Sequence, residues 1–285
     1  MTAKIINGRA IAQVLRNDVA SELKTLLKTS PASPLITSIT VGHNPSSDLY
    51  LKLRENACKE VGIRTNHLYF EKNIREKQIM ETIHQLNNDP SVHGIFIQYP
   101  LPTYLSQANL IRAIHPNKDV EGLHPYNLGA TYLGDERLTP CTPQAVLTIL
   151  KHEQVSLQGK DIVIVNHSTI VGKPLAGLLL QRNATVSICH VYTKDLKRYS
   201  SQADILITAA GVPKLITGEH VKKHAVVIDV AVIETKDGVC GDVDTTSVVD
   251  KADLLTPVPG GVGPVTIACS LKNMVQTYKT CMGQK

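Results

Sequence analysis

In the stretch SSDLYLKLREN, residues 46–56, Tyr50 and Arg54 stand one helical turn apart. Residues at i and i+4 share a helix face, so the phenol and the guanidinium line one pocket or sit together on a solvated surface. Arginine is a fixed cation with five donors and no acceptor: it suits holding an oxygen and is unsuited to exchanging a proton. Lys52 points to a different face. A second candidate is Gln98, at the end of the apolar run VHGIFIQ. In parallel sheets ligands bind where strand C-termini open into loops. A third is VNHSTIVGKP, residues 165–174, between an expected strand and an expected helix. There the pyrophosphate of a dinucleotide would meet the amides of a helix N-terminus. Of the usual glycine fingerprint only Gly172 remains, and Asn166 stands where a tight-turn glycine is expected. An ordinary turn of a doubly wound domain would look much the same.

The elements that must position these residues follow from periodicity. Ile11, Val14, Leu15, Val19, Leu23, Leu26 and Leu27 recur at helical spacing, which predicts a helix over 8–29. PLITSITVG reads as a strand closed by Gly42, and Asn44 and Pro45 supply an N-cap and a first-turn proline for a helix that Gly62 ends. Residues 66–70 suit a strand, 74–88 a helix, and VHGIFIQYPLP a buried strand running into a proline-held loop at 98–102. From about Thr139 the pattern restarts: KDIVIVN, ATVSICH, ADILITAA and HAVVIDVA are strands, GKPLAGLLLQR is a helix, and a final helix covers roughly 265–278. The class is therefore α/β: an N-terminal α/β domain followed by a Rossmann-like, doubly wound parallel sheet.

Composition narrows the function. With 42% hydrophobic residues, 285 residues can bury a sizeable core, which falls to Val, Ile, Leu and Ala because there is no Trp and only two Phe. The net charge of +5 is dispersed, with no basic run interleaved with aromatics, so nucleic acid is not an expected partner and an anionic small molecule is. The six cysteines (Cys58, Cys141, Cys189, Cys240, Cys269, Cys281) form no CxxC pair and no metal-spaced cluster, so reduced thiols and no metal are expected. The N-terminus lacks a secretory or transit pattern, and no stretch approaches the ~20 apolar residues of a membrane helix, so a soluble cytoplasmic protein is expected.

Seven motifs fall in one order: YLKLR at 50–54, QYPLP at 98–102, KDVEGLHPYNLG at 118–129, TPCTP at 139–143, HSTIVGKPLAGLLL at 167–180, GDVD at 241–244 and TPVPGGVGPVT at 256–266. The series resembles the methylenetetrahydrofolate dehydrogenase/methenyltetrahydrofolate cyclohydrolase family over essentially the whole chain. The resemblance implies a folate-binding catalytic domain at 1–138, completed by the C-terminal helix 265–285, a Rossmann domain at 139–264, and a cleft between them. It also implies a homodimer, without metal, that oxidises methylene-tetrahydrofolate by hydride transfer to NADP or NAD and hydrolyses the methenyl product to formyl-tetrahydrofolate. Tyr50 matches the tyrosine that packs on the folate, and Gln98 the glutamine that hydrogen-bonds the catalytic lysine and substrate. Glu121 falls on the acidic position that holds the pterin's amino edge. Gly260, Gly261 and Pro264 match the loop between folate and nicotinamide, Ser168 and Gly172 match the phosphate side of the cofactor turn, and Val232 is a further cofactor-side position.

The departures cluster at the chemistry. Arg54 stands where the resemblance implies the catalytic lysine, and Glu121 where it implies aspartate. Asn166 and His167 replace a Gly-Arg pair, Val191 replaces a serine that helps hold the NADP phosphate, and Ala145 and Ala231 replace glycines. An acid near the ends of the first two Rossmann strands favours NAD, and a base favours NADP. His167, His190 and Val191 supply neither signal, which tilts the expectation toward NAD, with Lys194, Lys197 and Arg198 on the next loop as possible phosphate contacts. Because arginine does not exchange protons, cyclohydrolysis is expected to fall by ~10²–10⁴ while hydride transfer survives. Two other functions fit the same departures: a non-catalytic folate- or nucleotide-binding protein, and a dehydrogenase of a different iminium-type substrate.

Overall fold

The computed structural model describes residues 2–30, 32–236 and 238–283. In chain order the strands are β1 (Lys4–Ile5), β2 (Leu35–Val41), β3 (Arg64–Phe70), β4 (Gly94–Ile97), β5 (Asp161–Val165), β6 (Thr185–Cys189), β7 (Ile205–Thr208), β8 (Val226–Asp229), β9 (Ile233–Thr235), β10 (Gly238–Cys240) and β11 (Leu254–Leu255). The helices are α1 (Gly8–Leu26), α2 (Pro45–Val61), α3 (Glu76–Asn88), α4 (Gln107–Ala113), α5 (Pro125–Tyr132), α6 (Cys141–His152), α7 (Gly172–Leu180), α8 (Leu196–Ser200), α9 (Thr245–Val248) and α10 (Val262–Cys281). Two units emerge. One comprises Val14–Cys141 with Ile267–Lys285, the other Met1–Gln13 with Thr142–Thr266.

The first unit is built on a parallel three-stranded sheet of order β3-β2-β4. Alternation assigns the faces of β2 and β4. Ile36 and Phe96 join Val19 and Leu23 of α1, Ala57, Cys58 and Val61 of α2, and Leu271, Met274 and Val275 of α10 in one cluster. Ile39, Val41, Ile95 and Ile97 face the other way, onto Ile79, Ile83 and Leu86 of α3 and Leu110 of α4. With helices on both faces, β2 is apolar or hydroxylic throughout, as strands covered on both sides are. Helix α2 starts as its sequence dictates: the Asn44 side chain accepts from the Ser47 N–H at 3.2 Å, and Gly62 ends the helix at φ 88° in the left-handed region. Its inward positions, Leu51, Arg54, Ala57, Cys58 and Val61, follow the helical repeat, and an arginine occupies one of them.

The second unit is a six-stranded, all-parallel sheet of order β1-β11-β8-β7-β5-β6, with a separate antiparallel hairpin of β9 and β10. The expected boundary at the start of the chain needs correction. β1 pairs with β11 through Lys4↔Leu254 and Ile5↔Leu255, so residues 1–13 belong to the six-stranded unit and not to the first domain. A two-residue strand carries no periodicity, and only its distant partner defines it. Among the described residues no helix is long and apolar enough to cross a membrane.

Candidate active site

Arg54 is 1% exposed, an unusual place for a charge. Burying a guanidinium is costly unless its charge and donors are matched. Three groups from three elements supply part of the match. The Nη2 group donates to Ser38 Oγ at 3.3 Å, the guanidinium carbon lies 3.0 Å from the Phe96 ring centroid, and Nη1 faces Glu121 Oε1 at 3.8 Å. Tyr50 closes the group from one turn before, with its ring centroid 5.9 Å from the guanidinium. The match stops short. Arg54 Nη1, Glu121 Oε1 and Gln98 Oε1 are buried without a hydrogen-bond partner. Each such atom costs about 1–3 kcal/mol, so one orphaned donor and two orphaned acceptors among these three side chains mark a place that awaits a polar ligand.

Glu121 is held from its backbone outward. Asp119 forms a parallel bridge with Ile95, and its Oδ2 accepts from the His124 N–H at 2.7 Å and from Asn127 Nδ2 at 2.8 Å. Gly122 adopts φ +70°, and a Cβ there would lie 2.7 Å from the Thr139 carbonyl carbon, so the segment turns at this residue and no bulkier one fits. From α10, Asn273 Nδ2 donates to both Val120 O and Thr139 O at 2.9 Å, and the Cys141 N–H donates to Glu121 O at 3.3 Å. Burial then pushes the Glu121 carboxyl up to about 7; the Arg54 charge opposes this, and the Asp119 charge reinforces it. Burial also raises the Tyr50 and Tyr99 phenols and the Cys141 thiol, and lifts Cys58 to about 11. Of these groups, Glu121 is the one brought to neutrality.

Gln98 extends β4, its N–H donating to Ile39 O at 2.8 Å. Two residues beyond Phe96, it shares that residue's face. Its Nε2 donates to Tyr99 O at 3.0 Å, and its orphaned Oε1 takes no bond from Arg54, so the implied contact between glutamine and residue 54 is not made. Lys52 is exposed. Ser38, Phe96 and Asn273, which no motif of the sequence marks, complete the surroundings with Cys141 of TPCTP. Alternation could have put Ser38 and Phe96 on one face, but which helix covers that face is a tertiary fact.

In the six-stranded unit the chain leaves β5 for β6 on one side and then for β7 on the other, the switch point at which such sheets bind nucleotides. The turn after β5 is shaped by a side chain. Asn166 Oδ1 accepts from the Ser168 N–H at 2.8 Å and the Gly172 N–H at 3.0 Å, while its Nδ2 donates to Ala209 O at 2.7 Å. A Cβ on Gly172 would sit 2.0 Å from Asn166 O, so this glycine is required for the helix to start so close to the turn. Ser168 Oγ accepts from the Val171 N–H at 3.1 Å. At the end of β7, buried Asp242 accepts from Thr208 Oγ1, Ala210 N and Val212 N, and at the end of β8, Asp229, pushed up to about 6 by burial, accepts from Ala231 N and Val243 N. Beyond β7, a Cβ added to Gly211 would meet nothing within 4 Å, so the chain here borders open space.

His167 and His190 meet with ring centroids 4.9 Å apart at the ends of β5 and β6. Val191 is 82% exposed, and Val232, beyond β8, is also exposed. A cavity of ≈ 520 Å³ beside β6 is lined by His190, Tyr192, Lys194 and Arg198, among others, while Lys197 pairs with Glu219 at 2.8 Å. Ala145 is buried within α6, and Ala231 is buried just after β8. Gly260, Gly261 and Pro264 lie between β11 and the first turn of α10, in this second unit, whereas Tyr50, Arg54, Gln98 and Glu121 lie in the first. Among the described residues no group of three His, Cys, Asp or Glu could hold a metal.

Comparison with known proteins agrees along the chain. Residues 6–121 match the model of the tetrahydrofolate dehydrogenase/cyclohydrolase catalytic domain, and residues 140–282 that of the tetrahydrofolate dehydrogenase/cyclohydrolase NAD(P)-binding domain. The chain is 44% identical to the bifunctional protein FolD of Methanosarcina barkeri, over 98% of this chain and 97% of that one. The crystal structure of the FolD methylenetetrahydrofolate dehydrogenase/cyclohydrolase of Campylobacter jejuni superimposes with a TM-score of 0.94 at 40% identity, covering 98% of this chain and 99% of that one. The Trypanosoma brucei methylenetetrahydrofolate dehydrogenase-cyclohydrolase, solved with NADP and an inhibitor, gives 0.94 at 31% identity, covering 99% of each chain.

Proposed function

This chain belongs to the tetrahydrofolate dehydrogenase/cyclohydrolase family, and on that premise we propose that it oxidises methylene-tetrahydrofolate with NAD(P), its cyclohydrolase step slowed by the arginine at position 54. The observation that carries this reading is the buried group of Arg54, Glu121 and Gln98 with its three unpartnered polar atoms. Two orphaned acceptors suit the N–H-rich edge of a pterin, and the orphaned Nη1 donor suits a ring oxygen or nitrogen. Tyr50 offers its ring face to the folate.

Bound NAD(P) supplies the hydride acceptor. The chain's own task is alignment and the exclusion of competing water. Asn166, Ser168 and Gly172 shape the turn for the pyrophosphate, while the exposed His167 and Val191 put no fixed charge at the ribose end, which tilts the preference toward NAD. Against that tilt, Lys194 and Arg198 border the neighbouring cavity. Arg54 stays protonated, so it can hold substrate but cannot relay a proton during hydrolysis. The loss of one general acid–base group corresponds to ~10²–10⁴ in rate. The test is the rate of methenyl-tetrahydrofolate formation from methylene-tetrahydrofolate with NAD and with NADP; no turnover with either sinks the proposal.

A further inference from the structure

The start of the chain comes to lie beside the loop that follows β11. β1 and β11 run parallel with Ile5 opposite Leu255, and the Ile6 N–H donates to Leu255 O at 2.9 Å. The two strands therefore leave the sheet together at its C-terminal edge, where such sheets bind their ligands. From there β1 turns into α1 and β11 into the stretch 256–261, all within the six-stranded unit. They meet at Gly8, which is buried: a Cβ there would lie 1.8 Å from Gly261 O and 2.7 Å from Gly260 O. In the reading proposed above, on which this rests, Gly260 and Gly261 lie between folate and nicotinamide. We infer that Gly8 is a positioning residue for hydride transfer: its missing side chain lets the first turn of α1 back this loop at the distance the reaction needs.

Both partners of this contact are anchored elsewhere. On the loop side, the Thr256 N–H donates to Val227 O at 3.1 Å, and Thr256 Oγ1 accepts from the Asp229 N–H at 2.7 Å, which ties the start of the loop to the end of β8. Gly261 folds back onto that start, since a Cβ on it would lie 2.5 Å from Pro257 O and 2.9 Å from Thr256 Cβ. On the helix side, the Ala3 N–H donates to Val249 O at 2.7 Å and the Lys4 N–H to Asp253 O at 2.9 Å. Asn7 Oδ1 then accepts from the Ala10 N–H at 3.1 Å and caps α1. Two pinned backbones thus face each other across Gly8, with no flexible side chain between them to yield.

Backbone conformation does not call for glycine here. Gly8 starts a helix without the positive φ that Gly260 has, and alanine is the better helix former. The two carbonyls facing it do call for glycine. A methyl group at position 8 meets main-chain atoms, so the loop and the helix must part by about 1 Å or more. Hydride transfer needs the reacting atoms ~3–3.5 Å apart and aligned, and a misplacement of ~1 Å caused by a substitution away from the chemistry costs ~10² in rate. Gly8 acts through the loop, on alignment, and supplies no group to the reaction.

The experiment compares the full-length enzyme with Gly8→Ala, Asn7→Ala and Asn7→Asp. It measures oxidation of methylene-tetrahydrofolate with NAD and NADP, calorimetric binding of both dinucleotides to count intact sites, and amide hydrogen exchange over 256–266 by mass spectrometry. For Gly8→Ala the expected results are a kcat per intact site lower by ~10², one dinucleotide bound per chain with Kd within about threefold of wild type, and faster exchange over 256–266 with β7 and β8 unchanged. Asn7→Ala, which uncaps α1, should give a smaller fall in kcat with faster exchange over 256–266, and Asn7→Asp, which keeps the cap, should match wild type. Wild-type kcat and exchange in Gly8→Ala overturn the inference, as does a fall in kcat fully accounted for by lost dinucleotide sites. If Gly8→Ala does not fold, the Asn7 pair decides: in Asn7→Ala, exchange that rises over 2–12 but not over 256–266 overturns it. Wild-type turnover separates the two claims. Oxidation by wild type with an unaffected Gly8→Ala removes only the role of Gly8, and no oxidation by wild type removes the folate reading with it.

Discussion

Replacing Glu121 by glutamine changes how stability depends on pH, and the sign and size follow from its surroundings. The carboxyl titrates near 4.5 in an open chain and near 7 in the folded protein, chiefly because burial disfavours its charge. Below 4.5 it is protonated in both states and costs nothing. As pH rises from there, the unfolded chain releases the proton while the folded one keeps it, so the folded state loses ground until the folded carboxyl itself ionises near 7. The gap between 4.5 and about 7, at about 1.4 kcal/mol per pH unit, makes this loss about 3 kcal/mol. Asp229, also raised, adds its own dependence, but it lies in the other unit and cancels when wild type and variant are subtracted. The attraction between Arg54 and Glu121, present only where the carboxyl is ionised, is already contained in the folded value near 7 and adds no separate pH dependence. The assay is urea denaturation of both proteins at pH 4.5, 6, 7 and 8 by circular dichroism, as the chain has no tryptophan. The wild-type stability minus that of Glu121→Gln should fall by about 3 kcal/mol across the range. A flat or rising difference refutes the claim that Glu121 is buried near its titration point.

Arg54→Lys supplies a proton-exchanging group beside Glu121 and should raise cyclohydrolase turnover by ~10²–10⁴, as read from methenyl-tetrahydrofolate decay; an unchanged rate counts against the proton-transfer argument. Gly172→Ala places a Cβ 2.0 Å from Asn166 O, so the turn must open. Calorimetric affinity for NAD and NADP should then drop at least about tenfold, while methenyl hydrolysis, which uses no dinucleotide, stays within about twofold. Asn273→Ala leaves the buried Thr139 carbonyl without its donor and the Val120 carbonyl with only the Cys141 thiol, an expected loss of about 1–3 kcal/mol in denaturant unfolding. A loss below about 1 kcal/mol would show that this clamp on the Glu121 segment is dispensable.

Local signals were legible where the chain punctuates itself. Asn44, Pro45 and Gly62 bracket α2 as their types require, and the alternation of ITSITV and GIFIQ reports which residues share a face. The state of the site was not legible, because it is made by distant partners. Nothing near Arg54 in sequence says that Ser38 and Phe96 will receive it, and nothing near Glu121 says that Asn273 and Cys141 will bury it. Asn166 read as a missing glycine, whereas its side-chain carbonyl gathers two turn amides that a glycine would leave to the backbone. The motif series placed Tyr50, Gln98 and Glu121 on family positions. That three of the buried polar atoms there lack partners follows only from packing.

Neither unit is one continuous run of chain, and this bears on synthesis. The three-stranded sheet is complete as far as Cys141, but Leu271, Met274 and Val275, which cover its Ile36 and Phe96 face, come after the whole of Thr142–Thr266. At ~5–20 residues per second those 125 residues occupy a ribosome for about 6–25 s. Throughout that interval the nascent three-stranded half lacks the α10 side chains that complete its cluster of Ile36, Phe96, Val19 and Ala57, while the six-stranded half, whose first strand is made at the very start, is finished first. On the ribosome the core of this half closes only when its last helix emerges.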